Sequence, residues 1–203
     1  MKKIFSLLFA SMFFCTFANA DNADLRKIED YLNNLNTLKA DFVQMSSNGA
    51  TAEGKVYIAK PSKIRMEYTA PESLLIVGNG DYIIYNDLEL DQITNIDYDD
   101  IPATVVLSNK IKIDGTNLKV TDFYKDGGQT SVTVEMPKNP AVKPITLIFD
   151  NNPFKLKQWK VIDQQNIEVT VSLFNEETDV DLASSLFKFD RKSTSSGSKS
   201  KRK

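Results

Sequence analysis

Residues 53–94 read EGKVYIAKPSKIRMEYTAPESLLIVGNGDYIIYNDLELDQIT, and this stretch decides the fold. Apolar and polar side chains alternate in short runs, and the runs end at Lys60-Pro61, at Ala70-Pro71 and at Gly78-Asn79-Gly80. Proline interrupts a strand because it lacks a backbone N–H, and Asn-Gly pairs adopt the tight turns of hairpins. The stretch therefore predicts successive antiparallel strands joined by hairpins, and not a βαβ unit.

The pattern before this stretch predicts a helix that leads into a strand. Leu25, Ile28, Leu32 and Leu35 are spaced three or four residues apart, which places them on one face of a helix ending near Leu35. Residues 38–46 then change to the two-residue period of a strand.

The pattern after this stretch predicts a second short helix and more strands. Pro102 fits the first turn of a helix over 103–108, because its φ angle is already helical. Strands are predicted over 118–124, 129–136, 145–150, 156–162 and 166–174. The chain is thus predicted to be an α+β protein with about ten or eleven antiparallel strands, too many for a flat sheet, so that the sheet curls into an incomplete barrel.

The first residues have the composition of a secretory signal. Met1-Lys2-Lys3 is basic, residues 4–17 are mostly apolar, and Ala18-Asn19-Ala20 matches a cleavage site, so residues 1–20 are predicted to be removed. The apolar run is shorter than the roughly 20 residues that span a bilayer. Cys15, the only cysteine, falls inside this signal, so the mature protein is expected to carry neither a disulfide nor a lipid.

Charge divides the rest of the chain into a domain over 21–192 and a basic tail over 193–203. The domain and tail together carry a net charge of about −4, without the basic face that nucleic-acid binding requires. The tail is rich in serine and lysine and is predicted to be disordered. It is either a solvated terminus or a weak electrostatic contact for an anionic lipid or an acidic receptor.

Several kinds of chemistry are excluded by composition. The chain has no histidine, and its one cysteine is in the signal, which removes Ser-His and Cys-His nucleophiles and Cys/His zinc sites. Asp97, Asp99 and Asp100 lack the glycine and glutamate of a calcium loop and indicate a solvated turn. The acidic residues in 176–181 indicate a polar connection, and Trp159 indicates core packing. No enzyme activity, metal or cofactor is predicted.

The order of these motifs resembles the LolA family, the periplasmic carriers of outer-membrane lipoproteins. A glycine-led strand is followed by a basic residue and proline, a strand with arginine and an aromatic residue, another proline, an aliphatic run and a tyrosine-containing strand. The resemblance extends to the segments 38–44 and 101–107 and to Leu186-Phe187-Lys188-Phe189, which is similar to the final strand of the family.

The resemblance implies a monomeric periplasmic carrier, in which short helices form a lid over the concave apolar face of an open half-barrel. It implies three kinds of partner: acylated lipoproteins, an inner-membrane ABC transporter complex and an outer-membrane lipoprotein receptor. Periodicity alone favours a filled core on the inner face of such a sheet, whereas the resemblance favours a cavity for acyl chains.

The resemblance also implies roles for individual residues. Lys60 stands where the family has an arginine that latches the lid in the unloaded state, and it keeps the charge but not the planar five-donor group, so a weaker latch is expected. The residues expected to line the acyl cavity are Leu25, Ile28, Leu32, Phe42, Ile64, Met66, Val105, Val106 and Leu107.

Two other functions remain open. One is a general periplasmic lipid-binding or envelope-stress-sensing module on the same half-barrel. Stress sensors usually have a second domain, and the expected mature chain is too short to contain one. An envelope enzyme would act on a lipid through paired carboxylates, and the sequence contains no convincing pair.

Overall fold

The structure, a computed structural model, describes residues 22–190. The predicted signal and the predicted basic tail lie outside these residues. The described part has one α-helix, α1, and eleven strands. In chain order the elements are α1 (Asn22–Asn34), β1 (Thr37–Ser46), β2 (Thr51–Ala59), β3 (Lys63–Tyr68), β4 (Leu74–Asn79), β5 (Ile83–Asp87), β6 (Gln92–Ile96), 3-10 helices at Tyr98–Asp100 and Pro102–Leu107, β7 (Lys119–Lys125), β8 (Gln129–Glu135), β9 (Ile145–Asn151), β10 (Phe154–Ile162), β11 (Glu168–Thr178) and a 3-10 helix at Ser184–Phe187.

All eleven strands form one antiparallel sheet in the order β6-β5-β4-β3-β2-β1-β11-β10-β9-β8-β7. The first and last strands meet at its centre, where Leu38 of β1 is opposite Thr178 of β11. Strands β6 and β7 are the two edges and do not pair with each other, so the sheet stays open. The prediction of an incomplete antiparallel barrel with few helices is confirmed.

Alternation of side chains gives the sheet an apolar inner face. In β1, Leu38, Ala40 and Phe42 are buried, whereas the residues between them are partly exposed. A β-bulge in β10 changes the period once, so that Leu156 and Trp159 are both buried although they are three residues apart. Trp159 is therefore a core residue, as predicted.

Two short segments differ from the prediction in their type of structure. Residues 103–108 were expected to be a helix, and Pro102–Leu107 forms a tighter 3-10 helix. Residues 186–189 were expected to be a strand, but Ser184–Phe187 is a 3-10 helix against β3 and β4. Strand β11 already pairs with β1 and β10, so it offers no free edge to a following strand. Burial of Phe187 fixes the segment on the outer face instead.

The acidic segment 176–181 is only partly the polar connection that was predicted. Strand β11 continues to Thr178, because its end pairs with the start of β1. The side chain of Glu176 is 8% exposed and its carboxylate oxygens lie 2.9 Å from Lys155 Nζ and 3.0 Å from Lys157 Nζ. Glu176 is therefore a structural ion-pair partner of β10 and not a solvated loop residue.

Gly54 is required by a close approach between strands. A Cβ atom at this position would lie 2.0 Å from the carbonyl oxygen of Glu67 and 2.9 Å from the Phe42 ring. We expect Gly54→Ala to lower the free energy of unfolding by about 2 kcal/mol, within the range of overpacked cores. Urea unfolding measures this change, and an unchanged midpoint would contradict the close approach. Gly127→Ala is the matched control, because nothing lies within 4 Å of a Cβ there.

Candidate functional site

The predicted lining residues meet on the inner face of the sheet. Ile28 and Leu32 of α1 and the valines and leucine of Pro102–Leu107 pack over side chains of β1, β2 and β3 in one continuous apolar cluster. Eight of the nine are buried in this cluster, and Leu25 is partly buried against it. Side chains fill the inner face in this conformation. The eight buried residues are Ile28, Leu32, Phe42, Ile64, Met66, Val105, Val106 and Leu107.

An open cleft of about 410 Å³ lies at the rim of this cluster. Leu107, Ile111, Leu118 and Met136 contribute its apolar lining. The cleft is beside the 3-10 helix Pro102–Leu107, which contributes Val105 and Leu107 to its wall.

We call α1 and the 3-10 helix Pro102–Leu107 the lid. Helix α1 presents Ile28 and Leu32 to the sheet, as the apolar stripe predicts. Tyr31 packs edge-on against Phe149 and Phe154, with ring centroids 5.6 and 5.8 Å away. Lys27 places its ammonium 4.2 Å from the centre of the Phe154 ring. Helix α1 of the lid thus packs on aromatic rings of β9 and β10.

Lys60 connects the β2–β3 turn to α1. Its Nζ donates a 2.5 Å hydrogen bond to the carbonyl oxygen of Leu32, in the last turn of the helix. Carbonyl groups at a helix C-terminus lack helical partners and carry partial negative charge, so an ammonium group is favoured there. Burial lowers the pKa of Lys60 to about 8, because the ammonium loses hydration.

The same turn holds the second part of the lid. The Ser62 backbone N–H donates to Leu107 O at 3.1 Å, and the Tyr98 hydroxyl donates to Ser62 O. The Tyr98 hydroxyl lies over Gly78, where an added Cβ would be 2.4 Å from it. Residues 60–62 therefore contact both lid elements at once.

A further connection joins α1 to the segment after the 3-10 helix. The side-chain amide of Asn33 accepts from Ile111 N at 2.7 Å and donates to Ile111 O at 3.0 Å. Glu29, one helical turn earlier, accepts from Ile113 N. The sequence shows two polar residues four apart beside the apolar stripe, but nothing in it identifies their partners, so this connection was not predicted.

Asn33→Ala should loosen the segment 108–118 without changing the sheet. The variant removes both hydrogen bonds to Ile111 while α1 keeps its apolar face. We expect hydrogen exchange at the amides of Ile111 and Ile113 to become about tenfold faster, which corresponds to one net hydrogen bond. Exchange in β1 should not change, and Asn34→Ala is the control, because the Asn34 side chain is exposed and one position away. Equal rates in both variants would contradict the connection.

The described residues contain little else that points to chemistry. No group of three or more His, Cys, Asp or Glu side chains within residues 22–190 has the arrangement to hold a metal ion. Asp97, Asp99 and Asp100 are exposed around the 3-10 helix Tyr98–Asp100. None of the helices in this part of the chain is sufficiently long and apolar to span a bilayer.

Comparison with known proteins identifies the family. The sequence model for the outer membrane lipoprotein carrier protein LolA matches residues 33–190. The chain belongs to the LolA family. Lys60 and the 3-10 helix of the lid lie inside the matched range, whereas Leu25, Ile28 and Leu32 precede it.

Two relatives that align with most of this LolA-family protein are 27% and 28% identical to it. An outer-membrane lipoprotein carrier protein of Azotobacter vinelandii (strain DJ) is 28% identical over 171 residues, which cover 80% of this chain and 79% of that protein. An uncharacterized protein of Rickettsia prowazekii (strain Madrid E) is 27% identical over 195 residues, or 93% and 88% of the two chains. A crystal structure of a DUF1329 family protein from Desulfovibrio piger has a TM-score of 0.50 at 10% identity, covering 81% of this chain and 95% of that one, and shows the fold alone.

Proposed function

We propose that this protein carries lipoproteins across the periplasm with their acyl chains shielded between the lid and the sheet. The observation that supports this proposal best is the continuous apolar inner face beneath a lid that a few polar contacts hold in place. Each CH₂ group removed from water contributes about 0.8 kcal/mol. A lipoprotein without such shielding would therefore stay in a membrane or aggregate.

Loading requires the lid to move, because side chains fill the inner face of the closed form. Acyl chains would replace the packing of Ile28, Leu32 and Val105 against the sheet. The cargo covers the same apolar surface that the lid covers in the closed form. The loaded form and the empty closed form are therefore close in free energy, and transfer stays reversible. In this scheme Lys60 is the latch of the closed form.

The proposal includes the partners of a carrier cycle. An inner-membrane ABC transporter supplies the free energy for loading, and an outer-membrane receptor accepts the cargo. The family match and the carrier names of several relatives support this assignment.

Native mass spectrometry tests the proposal most directly. The protein is purified from the periplasm of cells that overproduce a triacylated lipoprotein, and bound lipid is extracted. We expect a stoichiometric complex with that lipoprotein. Free phospholipid alone would move the function to general lipid binding, and the absence of any ligand would leave the inner face as an ordinary core.

A further inference from the structure

Helix α1 contacts the sheet at three places along its length. Near the C-terminus of the helix, the carbonyl oxygen of Leu32 accepts from Lys60 in the β2–β3 turn. In the middle, Lys27 lies over the ring of Phe154 at the start of β10. In its first turn, the helix contacts the end of the edge strand β7. The contacts therefore follow the order of the strands in the sheet, from β2 through β10 to β7.

The contact with β7 is an ion pair between side chains 101 residues apart in sequence. The Nζ atom of Lys125 lies 2.6 Å from a carboxylate oxygen of Asp24. The Asp24 side chain is 20% exposed, so salt screens this pair less than it screens a fully exposed one. Asp24 also belongs to the first helical turn, where the helix dipole favours a negative charge. The carboxylate is therefore held by the helix and by the edge strand at once.

The two ends of α1 are much closer together than a flat sheet would place the strands that they contact. Asp24 and Leu32 are about 12 Å apart along the helix, because each residue adds about 1.5 Å. Strands β1, β11, β10, β9 and β8 lie between β2 and β7. Neighbouring strands are about 4.8 Å apart, so a flat sheet would separate β2 from β7 by about 29 Å. The helix and its two lysine contacts therefore form a chord across the curved sheet.

Pairing between strands does not fix the curvature of this sheet. The edge strands β6 and β7 do not pair with each other, and β7 pairs with β8 alone. The ladder between β7 and β8 is itself interrupted by a bulge between Val120 and Asp122. The curvature can thus change through small changes in the twist between neighbouring strands, without the loss of a hydrogen bond between strands.

We propose that α1 is a strut that sets the width of the open sheet, and that Asp24 and Lys125 are the positioning residues at its β7 end. When this ion pair breaks, β7 moves outward while Lys60 still holds the other end of the helix. The two ends act independently, because contacts more than about 10 Å apart usually do. Only the consequence for cargo rests on the proposed carrier function. Entry of acyl chains widens the sheet, so the ion pair disfavours loading and favours release.

The distance between the two edges of the empty protein in solution tests the strut. Nitroxides are attached at Asn95→Cys in β6 and at Asp122→Cys in β7, where both native side chains are exposed, in a Cys15→Ser background of the secreted protein. Pulsed electron spin resonance then gives the distribution of distances between the labels. We expect Lys125→Gln to give a longer mean distance and a broader distribution than the unchanged pair gives.

The same strand provides a matched control. Lys119→Gln also removes an ion pair from β7, but its partner is Glu135 of β8 at 2.9 Å and not the lid, so the distribution should not change. Lys125→Arg keeps the ion pair and should also preserve the distribution. Asp24→Asn should reproduce the effect of Lys125→Gln, and the two changes together should add nothing further. An unchanged distribution in Lys125→Gln, or equal broadening in Lys119→Gln, would overturn the strut.

Two rates connect the strut to the lid and to the cargo. Exchange of the Ile28 amide should become about threefold faster in Lys125→Gln, since an exposed ion pair changes an equilibrium by up to about fivefold. Transfer of a fluorescent triacylated peptide to vesicles should become slower by a similar factor, and this factor should multiply with that of Lys60→Leu. A widened sheet with an unchanged transfer rate would overturn the consequence for cargo and leave the strut in place.

Discussion

Ile28→Glu is expected to lower the affinity for a triacylated peptide by roughly 100-fold or more, which corresponds to about 2.7 kcal/mol. Ile28 is fully buried in the centre of the lid, and in the proposed loaded form the same side chain would contact acyl chains. An unpaired carboxylate in that position costs several kcal/mol, because it cannot keep its hydration. Binding of a fluorescent triacylated peptide by the purified variant measures the change in affinity.

Two further variants separate the lid from the fold. Arg26→Glu introduces the same group on the exposed side of α1 and should leave binding within about twofold, as surface changes usually do. Ile28→Ala keeps an apolar surface and should retain binding while lowering the free energy of unfolding by about 2–4 kcal/mol. Unchanged affinity in Ile28→Glu, with β1 and β11 still protected from hydrogen exchange, would contradict the placement of α1 over the acyl site.

The sheet was accessible to sequence reasoning because its signals are local. Each hairpin is marked by proline or glycine, and each strand by the alternation of burial. The β3–β4 and β4–β5 hairpins are found by reading Pro71 and Gly80 alone. The number of strands predicted an incomplete barrel, because a sheet of many antiparallel strands curls even when its two edge strands do not pair.

The segments that differ from prediction depend on contacts distant in sequence. Residues 186–189 alternate like a strand, but the edge that a twelfth strand would need is already occupied by β1. Glu176 has the composition of a loop, and its role depends on Lys155 and Lys157 in the preceding strand. The periodicity of one segment does not reveal which residues of other segments will contact it.

In the candidate site, too, the local features were predicted from sequence and the long-range contacts were not. The apolar stripe of α1 predicts which side chains face inward, and the structure places them there. The polar contacts that hold the lid join residues far apart in sequence, such as Asn33 with Ile111. For Lys60, the proposed latch role came from the family resemblance, because periodicity assigns no role to a single lysine. The structure adds its acceptor, the carbonyl oxygen of Leu32.

Lys60→Leu is expected to slow the release of cargo by roughly tenfold, while the sheet remains folded. In the proposed cycle the hydrogen bond from Lys60 to Leu32 is made only in the closed form, so its removal should raise the free energy of the empty closed form relative to the loaded form. Leucine offers no donor to the Leu32 carbonyl, and a buried polar group left without its partner costs about 1–3 kcal/mol. Transfer of a fluorescent triacylated peptide to acceptor vesicles measures the rate. Lys63→Leu, in the next strand, is the matched control, and equal transfer rates in the two variants would remove Lys60 from the latch role.

The substitution of lysine for arginine makes the proposed latch sensitive to pH. Lys60 has a pKa of about 8 in the closed form, whereas a solvated lysine in an open lid titrates near 10.4, so the open form binds more protons between these values. Raising the pH from about 8 to 9 should therefore favour the closed form, and below about 7 both forms are protonated and the preference is constant. This direction is opposite to that of a lysine held by a carboxylate, because the shift comes from reduced hydration. Hydrogen exchange of α1 across this range measures closure. Lys60→Arg should close equally well at every pH in the range, and a wild-type lid without this dependence would show that Lys60 is hydrated when the lid is closed.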